Sequence, residues 1–197
     1  MRLGEHLRIP CAYIAAWRAL IAPGGHGKAQ FAAQTQYVID RFPSAELVIC
    51  AGAAGSLHPD LTTGDVVVGT ETVEHDFRLL FATRPLPRFP GHAPSLARLR
   101  TAAQGVSAFR VAFDIIASGD DDIVSAVRAA AIRTQTRAVC VAWEGSGAAR
   151  AATLSGLPSL ELRAITDSAD KEAPQDFAAN LPVAMRHLAQ LLACLFE

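Results

Sequence analysis

The sequence predicts an α/β domain built as a three-layer sandwich around a central mixed, mostly parallel sheet. Three observations lead there. Strand-like runs alternate with helical stretches along the whole chain, the order that produces crossover connections over a sheet. Several of those runs are continuously apolar and not alternating, which suits strands covered on both faces. The chain has 197 residues, 51% of them hydrophobic and 19% charged, enough for one sizeable core. A single domain over residues 1–197 follows, since no internal repeat, low-complexity tract or linker divides the chain.

Taken in order, runs of β-branched and apolar residues occur at Cys11–Ile21, Glu46–Ala51, Asp65–Thr70, Phe109–Ala117, Ala138–Trp143 and Ser159–Ile165. Between them, Lys28–Phe42 reads as a helix with Phe31, Val38 and Phe42 on one side. Asp121–Arg133 reads as another, and Gly145–Ser155 as a helix of mostly small residues. About Phe177–Phe196, the residues Leu181, Met185, Leu188, Leu192 and Leu195 form one stripe at helical spacing. The proline-dense stretch Arg84–Pro94, "RPLPRFPGHAP", reads as a surface excursion, because the pieces on either side are each too small to be separate domains.

The formal net charge is -1 with a pI near 6.6 and no basic stripe, so neither nucleic acid nor a membrane surface is expected as a partner. No apolar run approaches the roughly 20 residues of a bilayer span, and "MRLGEHLRIP" lacks the apolar core of a secretory signal; a cytoplasmic protein is expected. Cys11, Cys50, Cys140 and Cys194 are scattered without a C-x-x-C pair, the pattern of reduced thiols and not of a zinc site or disulfide framework.

Ligands of open α/β sheets collect where strands end and helices begin. Three such places carry unusual residues. "VICAGAAG", Val48–Gly55, runs an apolar strand into a G-x-x-G pair, which equally describes a tight turn or a backbone that lets a ligand approach. "VAWEGSG", Val141–Gly147, puts Glu144 at a helix start, where the macrodipole alone favours an acid. "LELRAITDSAD", Leu160–Asp170, ends a buried strand on Asp167, which equally suits a helix N-cap.

Together and in order, "GGHGK" (Gly24–Lys28), "GAAGSLHPDLTTG" (Gly52–Gly64) with Asp65, His75-Asp76, "SGD" (Ser118–Asp120), Glu144-Gly145 and "RAITDSAD" (Arg163–Asp170) resemble the purine nucleoside phosphorylase/nucleosidase superfamily. The methylthioadenosine/S-adenosylhomocysteine nucleosidase branch is the most similar. The resemblance implies the nucleoside phosphorylase-like α/β sandwich and an N-ribosyl hydrolase that needs no metal and no organic cofactor. It implies a small-molecule nucleoside as the ligand and a homodimer or larger homo-oligomer. By the same resemblance Asp167 protonates the leaving purine at N7 and Glu144 holds the ribose 2′- and 3′-hydroxyls. Arg163 pins loops or the geometry of the acid, Asp170 is structural, and His75-Asp76 lies near the subunit interface in a mainly structural role. Ala53 and Gly55 of the glycine segment, Asp122 and Ile123 after "SGD", and Trp143 beside Glu144 fall at substrate-contacting positions.

The chain also departs from the pattern. Phosphorylases carry an arginine ahead of the glycine segment and a serine within it, where this chain has Cys50 and Ala53, so water is expected as the nucleophile in place of phosphate. The opening strand and glutamates of the nucleosidase branch have no match in "MRLGEHLRIP", so the first strand reads as missing, and with it the glutamate that orients water. Asp122 stands where the branch has a phenylalanine that stacks on adenine, and Trp143 replaces a methionine. The expectation is a nucleosidase acting on an adenosine-type or modified purine nucleoside. The alternatives are a non-catalytic nucleoside-binding homologue and a phosphorylase.

Overall fold

The computed structural model describes residues 9–196. The expected absence of the first strand concerns a segment mostly within residues 1–8, which lies outside the described residues. The chain opens with β1 (Ala12–Ile14) and β2 (Ala19–Ile21), an antiparallel pair folded around a 3₁₀ turn at Ala15–Trp17. The sequence suggests one strand over Cys11–Ile21. It is broken because Arg18 takes the left-handed conformation, with φ 49°, and reverses the chain. Helix α1 (Gly27–Arg41) follows, then β3 (Val48–Ser56), β4 (Val66–Glu74), β5 (Arg88–Pro90), α2 (Ala93–Ala103) and β6 (Val111–Ser118). The chain finishes with α3 (Ala126–Thr136), β7 (Cys140–Ala142), α4 (Gly145–Leu154), β8 (Ser159–Asp167) and α5 (Ala173–Ala193). No helix among the described residues is long and apolar enough to cross a membrane.

The main sheet has six strands in the order β5-β4-β6-β7-β3-β8, and β8 pairs again with β4. It is mixed and, along its paired length, mostly parallel, as expected. Strands β4, β6 and β7 run parallel as one block, β3 and β8 run parallel as another, and both seams between the blocks, β7–β3 and β8–β4, are antiparallel. The second seam closes the sheet on itself, with α5 against one face of β8 and α4 against the other. The free side of β4 is shared: Val66–Val68 pair with β8 and Glu71–Val73 pair with β5, with a register shift at Gly69/Glu71 between the two stretches.

Packing follows from which face each residue occupies. Leu160, Leu162 and Ala164 of β8 alternate onto one face and meet Ala184, Leu188 and Leu191 of α5, with Val66, Val68 and Leu99 completing the cluster. Each fully buried leucine of this kind stabilises the fold by about 1.5–3 kcal/mol. On the other face of β8 lie Glu161, Arg163 and Asp167, all buried. Helix α4 covers part of this face at close range because Gly145, Ser146, Gly147, Ala148, Ala149, Ala151 and Ala152 are small and buried. A side chain at Gly147 would overlap the backbone of Lys28 in α1.

Two further elements differ from the sequence reading. Arg84–Pro94 contains β5 and the start of α2: Pro90 ends an edge strand and Pro94 falls in the first helical turn, both places where a missing N–H costs nothing. The helix expected at Asp121–Arg133 starts only at Ala126, because the acids of Asp120–Asp122 stay in the connection. All four cysteines are free, and Cys50 and Cys140 are buried core thiols; burial pushes the Cys50 thiol up to about 12.

Candidate active site

Strand β3 does not end at its glycines. It stays extended through Ser56, so Gly52 and Gly55 are strand residues, and each lies beneath a functional side chain of β8. A Cβ on Gly52 would stand 2.8 Å from Arg163 Nη1, and one on Gly55 would stand 2.7 Å from Asp167 Oδ1. The glycine pair therefore makes room for the neighbouring strand's side chains; it is not a loop. A register shift between Ala54 and Gly55 brings Gly55 opposite Asp167.

Asp167 is 9% exposed. Its Oδ2 accepts from the Thr166 hydroxyl at 2.8 Å and its Oδ1 from the backbone N–H of Ala169 at 3.0 Å. Burial raises its pKa above the ordinary 3.8, against the pull of those two donors, and the charges of Asp170 and Asp176 add to the rise. The result is a carboxyl group that holds its proton more tightly than an exposed aspartate. Neither aspartate caps α5, whose N-cap residue Glu172 makes no side-chain cap bond; Asp170 accepts from the N–H of Glu172 at 3.0 Å in the turn before the helix.

Glu144 makes no side-chain cap bond at the start of α4, so the dipole alone does not account for it. Its Oε2 accepts from Arg163 Nη1 at 3.1 Å. Arg163 is 3% exposed and also donates to Glu161 Oε1 at 2.7 Å, to the Ala53 carbonyl at 3.3 Å and to Cys50 Sγ at 3.3 Å. Burial opposes the guanidinium's charge, yet Cys50, Glu161 and Glu144 together hold its pKa above the usual arginine range. Glu144 and Asp167 thus flank one short segment of β3: the first is tied through Arg163 to Ala53, and the second lies against Gly55.

The neighbouring turn is fixed from below. Ser118 of "SGD" donates to the Trp143 carbonyl at 2.8 Å and accepts from the Ser146 N–H at 2.9 Å, which sets the corner carrying Trp143 and Glu144. Trp143 is half-buried, and the His26 ring meets it edge-on at 6.2 Å between centroids. The sequence assigned His26 no part; the contact places it beside this corner.

The residues expected on the base side are arranged differently. Asp122 is exposed, and Ile123 is buried in an apolar cluster with Leu57, Val73, Ala117 and Ala169. Asp120 accepts the backbone N–H of Lys28 at 2.7 Å, and Asp121 pairs with Arg128 at 3.1 Å. His75-Asp76 is structural in part: Asp76 accepts from Lys28 Nζ and from the Asp120 N–H at 2.8 Å. The buried His75 ring has no hydrogen-bond partner, and burial lowers its pKa. A cleft of about 800 Å³ between α3 and the segment after β3 touches Ser168 and Asp170 but neither Asp167 nor Glu144, so its volume is not that of the space between the two carboxylates.

Sequence reasoning missed Glu161, Thr72 and Ser146, and quoted Ser118 only within "SGD", with no role of its own. Glu161 had a signal: in "LELRAITD" the two charges at 161 and 163 stand two apart in an apolar strand and so must share a face.

Comparison with known proteins identifies the family. The profile of the Phosphorylase superfamily matches residues 6–197. The 5′-methylthioadenosine/S-adenosylhomocysteine nucleosidase of Anoxybacillus flavithermus is 30% identical over 88% of this chain and 78% of its own length. The nucleosidase from Neisseria meningitidis, solved in complex with methylthio-immucillin-A, superposes with a TM-score of 0.85 at 27% identity, covering 98% of this chain and 90% of that one. Futalosine hydrolase of Helicobacter pylori superposes with a TM-score of 0.83 at 28% identity, covering 89% and 78%. With its motifs, its curled mixed sheet and its full-length match all in accord, the chain belongs to the Phosphorylase superfamily.

Proposed function

We propose that this protein is a nucleosidase that hydrolyses the N-glycosidic bond of an adenosine-type or modified purine nucleoside. Breaking that bond leaves positive charge on the sugar and an electron pair on the base. Asp167 gives its proton to N7 of the departing purine, which turns a poor leaving group into a neutral one. Glu144 accepts hydrogen bonds from the 2′- and 3′-hydroxyls, and its negative charge stabilises the sugar cation. Water adds to the anomeric carbon and loses a proton, giving free base and ribose moiety. Asp167 then takes up a proton for the next cycle.

The single observation that carries this reading is the placement of a buried Asp167, its pKa raised by burial, and an arginine-anchored Glu144 on either side of Ala53–Gly55. Water is favoured over phosphate as the nucleophile because Ala53 offers no hydroxyl and Arg163 commits four of its five N–H donors to Glu161, Glu144, Ala53 and Cys50. That missing hydroxyl also favours the second reading, a homologue that binds a nucleoside without cleaving it. Incubation with purine nucleosides, with and without phosphate, separates the cases by chromatography of free base. Release without phosphate is the expected result. Binding without release supports the second reading, and release only with phosphate supports a phosphorylase.

Self-association belongs to the same proposal. The connection from β4 to β5 exposes Phe77, Leu79, Leu80 and Phe81, an apolar run of the kind that is usually covered by a partner. Light scattering is expected to give at least twice the monomer mass of 20.8 kDa.

A further inference from the structure

We infer that Glu161 is a positioning residue for Glu144, acting through Arg163 to keep the sugar-facing carboxylate from being neutralised. The inference rests on the proposed function and adds to it a residue outside the motifs that carried the resemblance. Glu161 and Arg163 point the same way from β8, and both side chains are 3% exposed. Glu161 Oε1 accepts from Arg163 Nε at 2.7 Å, and its Oε2 accepts from the Thr72 hydroxyl of β4. Gly145 is required beside it, since any Cβ there would overlap the Glu161 carboxylate. The residue after Glu144 is thus a glycine because of Glu161.

The consequence is electrostatic. A lone Arg163–Glu144 pair would cancel the charge of Glu144 where positive charge develops on the sugar, in surroundings that strengthen such interactions. With Glu161 holding one edge of the guanidinium, two carboxylates share one cation and the group keeps a net negative charge. That excess resides at the accessible end: the Glu144 side chain is 18% exposed, against 3% for Glu161. Thr72 holds Glu161 in place, so the relay runs from β4 through β8 to the start of α4.

The test uses Glu161→Gln, which keeps the shape and removes the charge, and Thr72→Val, which keeps every charge and removes the hydroxyl. The substrates are 5′-methylthioadenosine and its 2′,3′-dideoxy counterpart. Glu161→Gln is expected to lower kcat on methylthioadenosine about tenfold with KM changed less than about twofold, because the lost charge acts mainly in the transition state. Thr72→Val should give a smaller loss of the same kind. In both variants the preference for the ribose over the dideoxy compound should shrink. Unchanged kcat in Glu161→Gln, or equal losses on both compounds, overturns the inference, since a merely structural residue would affect both alike. Should Glu161→Gln not fold, Thr72→Val decides by the same criteria. Wild-type protein that binds methylthioadenosine in calorimetry but releases no base overturns the hydrolase reading alone. In that case Glu161→Gln must weaken binding of the ribose compound relative to the dideoxy one, and unchanged relative binding overturns the inference. Wild-type protein that neither cleaves nor binds overturns both.

Discussion

On the proposed function, the sugar side and the base side of the candidate site are built by opposite means. On the sugar side, Arg163 and Glu161 are buried in β8, Glu144 is tied to Arg163, and each distance is set by a paired strand or the small-residue face of α4. On the base side, Asp120, Asp121 and Asp122 sit in the connection between β6 and α3, where Asp121 meets Arg128 in an exposed ion pair of small energetic weight. Buried charges must be paired or they are very costly, so their geometry is over-determined. Exposed acids are solvated and can be exchanged freely. On the proposed function, the groups that break the bond are therefore fixed by the scaffold, whereas those expected beside the base are replaceable.

The largest effect should come from Asp167→Asn, which removes the transferable proton. Hydrolysis is expected to fall by about three orders of magnitude while nucleoside binding survives, comparing single-turnover release with calorimetry. Stability should move the other way. The pKa of Asp167 is raised above 3.8, so the folded state binds this proton more tightly than the unfolded chain does. The stability it lends is therefore present below about pH 3.8 and is lost as pH rises through the raised folded value. The variant is then expected to melt higher than wild type at pH 7, with the advantage vanishing at low pH. Wild-type activity should likewise decline as pH rises through that value. A variant that stays active would remove the acid from Asp167 and dissolve the contrast at its strongest point.

Glu144→Gln ranks next, with a loss of about a hundredfold in kcat, because it deletes the charge facing the sugar but spares the proton donor. Gly55→Ala follows at about tenfold. Its new Cβ would stand 2.7 Å from Asp167 Oδ1, and a displaced acid transfers its proton less well. Circular dichroism melts separate this from unfolding, since the added methyl meets only the Asp167 carboxylate and Ala169 at close range.

The same contrast explains what could be read from the sequence. Strand-helix alternation and apolar runs located β3, β4, β6, β7 and β8, since continuous burial leaves an unmistakable composition. Closure of the sheet was not legible, because whether Val66–Val68 pair with β8 or with a different strand depends on distant register, which no local pattern encodes. Helix α2 was hidden by the prolines around it, and the glycines of β3 looked like a loop because their purpose, clearing space for Arg163 and Asp167, lies on another strand. The order of Glu144, Arg163 and Asp167 along the chain was informative, but the partnership of Arg163 with Ala53 and Cys50 emerges only when β3 and β8 lie side by side.

At the boundary between the two sides stands Asp76, whose carboxylate accepts from Lys28 and from the Asp120 N–H. Although burial alone would raise its pKa, the bonds from Lys28 and Asp120 bring it below 3.8. The sign is therefore opposite to that of Asp167: its contribution is fully present above about pH 3.8 and is lost as pH falls through the depressed folded value. Asp76→Asn should lower the melting temperature by a few degrees at pH 7 and by progressively less in acid, with hydrolysis reduced less than in Gly55→Ala. Equal destabilisation at every pH would place the residue's role in shape and not in charge.

The smallest effect is expected at Asp122. Its side chain is exposed and holds no other element in place, so Asp122→Ala should leave the melting temperature unchanged and kcat/KM for methylthioadenosine within about twofold. Asp122→Phe offers the opposite probe at the same position: an aromatic ring that reaches the base would add stacking of about 1 kcal/mol, a several-fold gain for adenine nucleosides over ligands with smaller bases. If the alanine variant instead loses most of its activity, the acid is gripping the base or ordering the connection around it. The base side would then be as rigidly specified as the sugar side, and the division between fixed chemistry and replaceable selectivity would not hold for this protein.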